Sequence, residues 1–214
     1  MAIDVKICGI SEACHAEAAV EAGAAYLGFV FFAPSPRNLT IAAATALGKK
    51  LPQGPNRVGV FVNAEQTLIK QAVDALELDI IQLHGKETPL EAAFIKEHLH
   101  LPVMKAIALS TEADLAQADP YLPYVDRILF DAKPPKDALL PGGNAVSFPW
   151  HILKDKKLPY EWMVAGGLTP ENVAKAIAES GATALDVSSG VETAPGKKSS
   201  ELIKDFLSAA KEAK

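Results

Sequence analysis

The chain is poor in cysteine, with only Cys8 and Cys14 among 214 residues. Two cysteines cannot supply a disulfide framework, and no Cys/His spacing resembles a zinc site. Long apolar runs are also missing. The start, Met1-Ala2-Ile3-Asp4-Val5-Lys6, has no charged segment leading into an apolar stretch, and no run of about 18 apolar residues follows. The reading is therefore no membrane association, with the cytoplasm as the expected location. A basic block is absent as well: 21 Lys and Arg against 26 Asp and Glu leave a formal charge of −5. That balance argues against a nucleic-acid surface, so an anionic ligand must be held by local groups. Finally, no G-x-G-x-x-G opens the first helix, where Ile7-Cys8-Gly9-Ile10-Ser11 stands instead. A dinucleotide-binding open sheet loses ground accordingly.

What remains is an ordinary globular composition, 49% hydrophobic and 22% charged. Short runs rich in Val, Ile and Phe recur at 5–8, 26–32, 57–62, 80–83, 103–107, 127–130, 162–165 and 184–187. Between them lie segments with helical spacing at 11–22, 40–50, 64–76, 89–99, 111–117, 170–179 and 200–211, with Ser11 and Asn63 as candidate N-caps. Strict alternation of strand and helix, with strands apolar on both faces, predicts a parallel sheet covered by helices. Eight repeats favour closure into a single α/β domain over 1–214, a (β/α)₈ or TIM barrel. At about 27 residues per unit the barrel is minimal, and its only spare chain is the Pro-, Gly- and Lys-rich stretch 132–149.

Chemistry in such a barrel sits at the C-terminal ends of the strands. The polar residues there are Cys8, Arg37, Asn63, Gln82, His84, Asp131, Gly166-Gly167 and Ser188-Ser189-Gly190. Alternation places Lys6 and Cys8 on one face of the first strand and Val5 and Ile7 on the other, so Cys8 points into the barrel mouth. The glycine-rich exits after strands seven and eight suit a phosphate, because glycine lets backbone N–H groups approach it closely. A carboxyl at Asp131, facing an enclosed mouth, suits a general acid. Asp186 faces inward from strand eight, where the simplest role is a partner for Lys6 and the sharper one is tuning of Cys8. The duller alternatives are that Cys8 is a small buried hydrophobe, that the glycines make turns, and that Asp131 and His84 cap strands. Cys14 reads as packing, and His15, His98, His100 and His151 as surface residues. Lys105 and Lys133 are the candidates for a Schiff base, with only their barrel location in favour.

Val5-Lys6-Ile7-Cys8-Gly9-Ile10, Phe29-Val30-Phe31-Phe32 through Ser35-Pro36-Arg37, Val58-Gly59-Val60-Phe61-Val62-Asn63, Gln82-Leu83-His84-Gly85, Asp186-Val187-Ser188-Ser189-Gly190-Val191-Glu192 and Pro195-Gly196 occur in that order. Together they resemble the phosphoribosylanthranilate isomerase family of tryptophan biosynthesis. The resemblance implies an Amadori rearrangement of N-(5-phosphoribosyl)anthranilate to 1-(2-carboxyphenylamino)-1-deoxyribulose 5-phosphate, by a monomer or homodimer, with no cofactor and no metal. It puts the general base on Cys8 and the general acid on Asp131. The anthranilate carboxylate falls to Arg37; Gln82, His84 and Asp186 are expected as further substrate contacts from their places at the strand ends, apart from the resemblance. The phosphate falls to Gly166, Gly167, Ser188, Ser189 and Gly190. Two places depart from the family pattern: its Gly-Gly-Thr-Gly reads Gly142-Gly143-Asn144-Ala145 here, and its Phe-Asp-Trp reads Phe148-Pro149-Trp150. The competing expectations are a histidine-pathway isomerase, which carries an aspartate where Cys8 stands, a Schiff-base aldolase, and a binding module without catalysis.

Overall fold

Alternating short strands and amphipathic segments close on themselves in the computed structural model, which describes residues 3–135, 140–143 and 146–213. Eight parallel strands pair in sequence order and β8 returns to β1. They are β1 (Asp4–Cys8), β2 (Tyr26–Phe31), β3 (Asn56–Phe61), β4 (Ile80–Leu83), β5 (Val103–Leu109), β6 (Arg127–Ala132), β7 (Glu161–Val164) and β8 (Ala184–Val187). The helices outside them are α1 (Ala13–Glu21), α2 (Ile41–Gly48), α3 (Gln66–Leu76), α4 (Pro89–Leu99), α5 (Val173–Ser180) and α6 (Ser200–Glu212). Units five and six carry only 3₁₀ turns, Glu112–Tyr121 and Trp150–Leu153. A short hairpin of β9 (Glu192–Ala194) and β10 (Lys197–Lys198), which no periodicity announced, follows β8.

Local chemistry sets the element ends. Thr88 accepts from the Glu91 amide while the Glu91 carboxylate accepts from Thr88, and Pro89 fills the first turn of α4, where a missing N–H costs nothing. Two expected caps are displaced. Ser11 stands outside α1, whose N-cap is Glu12. Asn63 does not cap α3, which starts after Glu65; it adopts a left-handed conformation with φ 48°, and its side chain accepts from the Lys86 amide. An Asn tolerates both roles, and the chain crossing from β4 selects the second.

Two apolar layers follow from the period of two. Val5, Ile7, Phe29, Phe61, Ile81, Ile128 and Phe130 face outward beneath the helices and form the main core. Each such fully buried side chain contributes about 1.5–3 kcal/mol. The inward positions Tyr26, Val58, Ile80, Met104, Leu129 and Met163 plug the lower barrel. Above them the inward positions are mixed, with Gln82, Asp131 and Asp186 among Gly28, Val60, Ala106 and Ala165.

Candidate active site

The upper inward positions of the strands open on a cavity. Cys8, Val30, Val60, His84, Asp131 and Asp186 line it from the strands, and Arg37 from the loop after β2. Leu140 to Gly143 and Val146 cover it from the loop after β6. Among the described residues of that loop, Gly142 and Gly143 are tightly constrained: a Cβ at Gly142 would lie 2.6 Å from Asp131 Oδ2, and one at Gly143 would lie 2.6 Å from Arg37 Nη1. Asn144 and Ala145, where the loop departs from the family pattern, lie outside the described residues. The second departure is absorbed by the fold, since Pro149 precedes the 3₁₀ turn at φ −65° and Phe148 and Trp150 are buried on either side.

Asp131 faces the cavity from β6. Its Oδ1 accepts from the Ala132 amide at 2.8 Å, and its Oδ2 lies 3.2 Å from His84 Nε2. Beneath His84, Gln82 is fully buried, with Nε2 3.0 Å from His84 Nδ1 and Oε1 without a partner among the described residues. Gln82 therefore does not reach the cavity; it supports the ring that does.

Cys8 is buried, and its thiol lies above Lys6 on the same face of β1. Lys6 is completely enclosed and pairs with Asp186 Oδ1 at 3.0 Å, across the register that sets the two residues opposite each other. Burial pushes the Cys8 thiol above its ordinary value; Lys6 opposes this, Asp186 adds to it, and Lys198 opposes it. Desolvation thus outweighs the neighbouring cations at the thiol.

Arg37 is buried and already paired. Its Nε and Nη2 donate to the two oxygens of Glu192 at 2.7 and 2.8 Å. Lys198, also buried, donates to the same carboxylate at 2.7 Å and to the Ser188 carbonyl at 3.0 Å. Ser188 Oγ in turn donates to the Cys8 carbonyl at 3.1 Å. Burial alone would raise Glu192, but Arg37 and Lys198 hold it below the usual carboxylate range. Among the described residues nothing pairs with Nη1, so one edge of the fork serves the protein and the other faces the cavity. Glu192 was read in the sequence without a role and Lys198 was not singled out, since a Lys in a polar turn reads as surface until the hairpin folds it inward.

The two glycine-rich exits meet over the mouth. Gly166 and Gly167 adopt φ 88° and 64°, and their N–H groups have no acceptor among the described residues. Gly167, Ser188 and Ser189 line the cavity, whereas Gly190 does not. Gly190 is where one loop packs on the other: a Cβ there would stand 1.8 Å from the Leu168 carbonyl oxygen. Gly190→Ala should cost about 1–3 kcal/mol as overpacking, read by denaturant unfolding. An unchanged unfolding midpoint would show that the loops can part without cost.

Other expectations are redrawn by packing. Cys14 is exposed rather than packed. His15 is buried, with Nδ1 unpartnered among the described residues, rather than on the surface. Lys105 shares its strand face with Val103 and Ile107, pointing away from the barrel, and donates to Glu87 at 2.8 Å and the Gly85 carbonyl at 2.7 Å. Lys133 is exposed. Neither lysine lines the cavity, which removes both candidates for the Schiff base.

The profile of the N-(5'phosphoribosyl)anthranilate (PRA) isomerase family matches residues 5–209. An N-(5'-phosphoribosyl)anthranilate isomerase of Paramagnetospirillum magneticum is 51% identical over 211 residues, covering 99% of this chain and 98% of that one. The crystal structure of phosphoribosyl anthranilate isomerase from Thermotoga maritima is 37% identical, with a TM-score of 0.87 and coverage of 98% of this chain and 99% of that one. A phosphoribosyl anthranilate isomerase solved in complex with reduced 1-(o-carboxyphenylamino)-1-deoxyribulose 5-phosphate is 36% identical, with a TM-score of 0.84 and the same coverage. With nearly its whole length matched at this identity, and with the same closed barrel, the chain belongs to the N-(5'-phosphoribosyl)anthranilate isomerase family.

Proposed function

We propose that this barrel isomerises N-(5-phosphoribosyl)anthranilate by proton transfer between Asp131 and Cys8. The observation that carries the reading is that a thiol and a carboxyl, both able to exchange protons with a sugar, line one cavity together with Arg37 and two glycine-rich loops. The substrate's phosphate suits the free N–H groups of Gly166 and Gly167 and the Ser188-Ser189 turn. Its anthranilate carboxylate suits the open edge of Arg37. The protein's overall charge repels such a dianion, so capture falls to these local donors.

In the proposed reaction Asp131, protonated, gives its proton to the ribose ring oxygen. The C1–O bond breaks as the anilino nitrogen lone pair forms the C1=N bond, leaving a cationic imine. Cys8, as thiolate, removes the C2 proton, and that electron pair forms the enolamine as C1=N becomes C–N. The Cys8 thiol then returns a proton to C1 while the C2 hydroxyl gives its proton to the Asp131 carboxylate, and the C2=O bond of the ketone forms as C1=C2 becomes a single bond. Only protons move, and acid and base end as they began once the protons are redistributed.

The pair under Asp131 fits the acid role. When Gln82 Nε2 donates to His84 Nδ1, His84 donates from Nε2 and Asp131 is an acceptor. Turning the Gln82 amide lets Oε1 accept from Nδ1–H, so that His84 Nε2 accepts from a protonated Asp131. His84 and Gln82 are in this reading partners of the acid, with His84 alone at the substrate.

Following the loss of anthranilate fluorescence with purified protein tests the activity directly. Arg37→Ala should raise KM about tenfold or more, the scale of a lost charged hydrogen bond of about 1.5–3 kcal/mol. An unchanged KM would remove Arg37 from carboxylate binding.

A further inference from the structure

Lys6 is completely enclosed, and the proton transfers above make no use of it. A lysine ammonium in a barrel interior is costly, and a hydrophobic residue of the same length would fill the space without that cost. The strand next to it supplies the reason it fits. Gly28 on β2 pairs in register with Cys8, and a Cβ at Gly28 would stand 3.0 Å from Cys8 Sγ and 3.1 Å from Lys6 Cε. The end of the Lys6 side chain and the thiol thus crowd around the one spot where β2 carries no side chain. Asp186, opposite Lys6 on β8, fixes the ammonium at 3.0 Å. Lys6 itself does not line the cavity, whereas Cys8 and Asp186 do.

We propose that Lys6 is a positioning residue for this reaction: anchored by Asp186 below the cavity floor, its ammonium stabilises the thiolate of Cys8 through the opening left by Gly28. The proposal rests on Cys8 being the base. Among the described residues, the charged groups acting on the thiol are Lys6 from its own strand, Asp186 from β8 and Lys198 from β10; β2 meets it with Gly28 and the apolar Val30. Burial raises the thiol, and of the charges Lys6 acts most strongly, in the direction that favours the thiolate. Asp186 and Cys8 together outweigh burial at Lys6, whose own value is raised, so it stays charged across the pH range in which the enzyme would work. Asp186 is then an anchor whose repulsion of the thiolate is smaller than the attraction it secures.

The test uses a Cys14→Ser background, so that Cys8 is the only thiol. The ultraviolet absorbance of the thiolate and kcat are each followed against pH in the parent, in Lys6→Met, and in the double variant Lys6→Met with Asp186→Asn. The double variant is needed because Lys6→Met alone strands a carboxylate in the barrel. Thiolate formation should move up by about one pH unit or more in the double variant, with kcat near neutrality falling about tenfold and recovering in alkali, a tenfold ratio being one unit. A thiolate titration that coincides with the parent's overturns the proposal. A shifted titration with an unshifted kcat profile upholds the action of Lys6 on the thiol and instead removes Cys8 as the base.

Discussion

Cys8→Ala should lower turnover about 100-fold or more, the scale of losing a general base, while leaving the barrel folded. The side chain ends at the cavity wall, so its removal enlarges an existing space and opens none in the apolar layers. Far-ultraviolet circular dichroism and thermal unfolding should match the parent, and kcat from the fluorescence assay should not. The pH dependence adds a check. Burial raises the thiol in the folded chain, so thiolate and turnover grow as pH rises. For stability the sign is opposite: a thiol raised by folding contributes fully below its unfolded value and loses that contribution as pH climbs through the folded one. Cys8→Ala should remove this alkaline loss together with the activity. Near-parental turnover in Cys8→Ala would dismiss the base assignment.

Asp131→Asn should lower turnover by a comparable factor of about 100 or more, for lack of a transferable proton. The amide is nearly isosteric, and its oxygen can still accept from the Ala132 amide, as Oδ1 does at 2.8 Å. Its nitrogen would face His84 Nε2, 3.2 Å from the position of Oδ2, as a permanent donor. The variant therefore mimics the protonated acid in shape and hydrogen bonding but cannot complete the transfer. Substrate binding should be nearly retained, so the loss should appear in kcat with KM little changed. A large rise in KM with kcat preserved would place Asp131 in binding and leave the acid to another group.

The two variants also separate the steps. Ring opening precedes removal of the C2 proton, so Cys8→Ala should still form the open imine, whereas Asp131→Asn should stall before it. The absorbance of bound substrate under single-turnover conditions reads that difference, because conjugation changes when the anilino nitrogen joins a double bond.

Much of this was legible along the chain, because it depends on short-range pattern. The period of two put Lys6 and Cys8 on one face of β1 and Val5 and Ile7 on the other, and packing kept them there. Asp186 was expected to meet Lys6 from the closure of β8 on β1, and it does so at 3.0 Å. The same rule failed for Lys105. It was credited to the barrel because it lies on a strand, but its neighbours Met104 and Ala106 take the inward positions, and Lys105 turns outward to Glu87. Arg37 was read as a free fork for a carboxylate; no local signal reveals that Glu192, 155 residues away, already holds one edge of it. Gln82 was placed at the substrate because it ends a strand, and the depth of the cavity leaves it one layer below. Cys14 and His15 exchanged their expected surroundings, since α1 turns His15 toward its neighbours and leaves Cys14 to solvent.

The sequence by itself determined the eight-fold alternation, the barrel that follows from it, and which residue types stand at the strand ends, because strand and helix periodicity and turn chemistry are properties of neighbours along the chain. The tertiary structure alone decided how those residues are partnered. It enclosed Lys6 beside a gap on another strand, folded Lys198 and Glu192 back onto Arg37, and set Gln82 beneath His84. Such partnerships join residues that are distant in sequence, and the burial that gives each charge its strength comes into being only when the barrel closes.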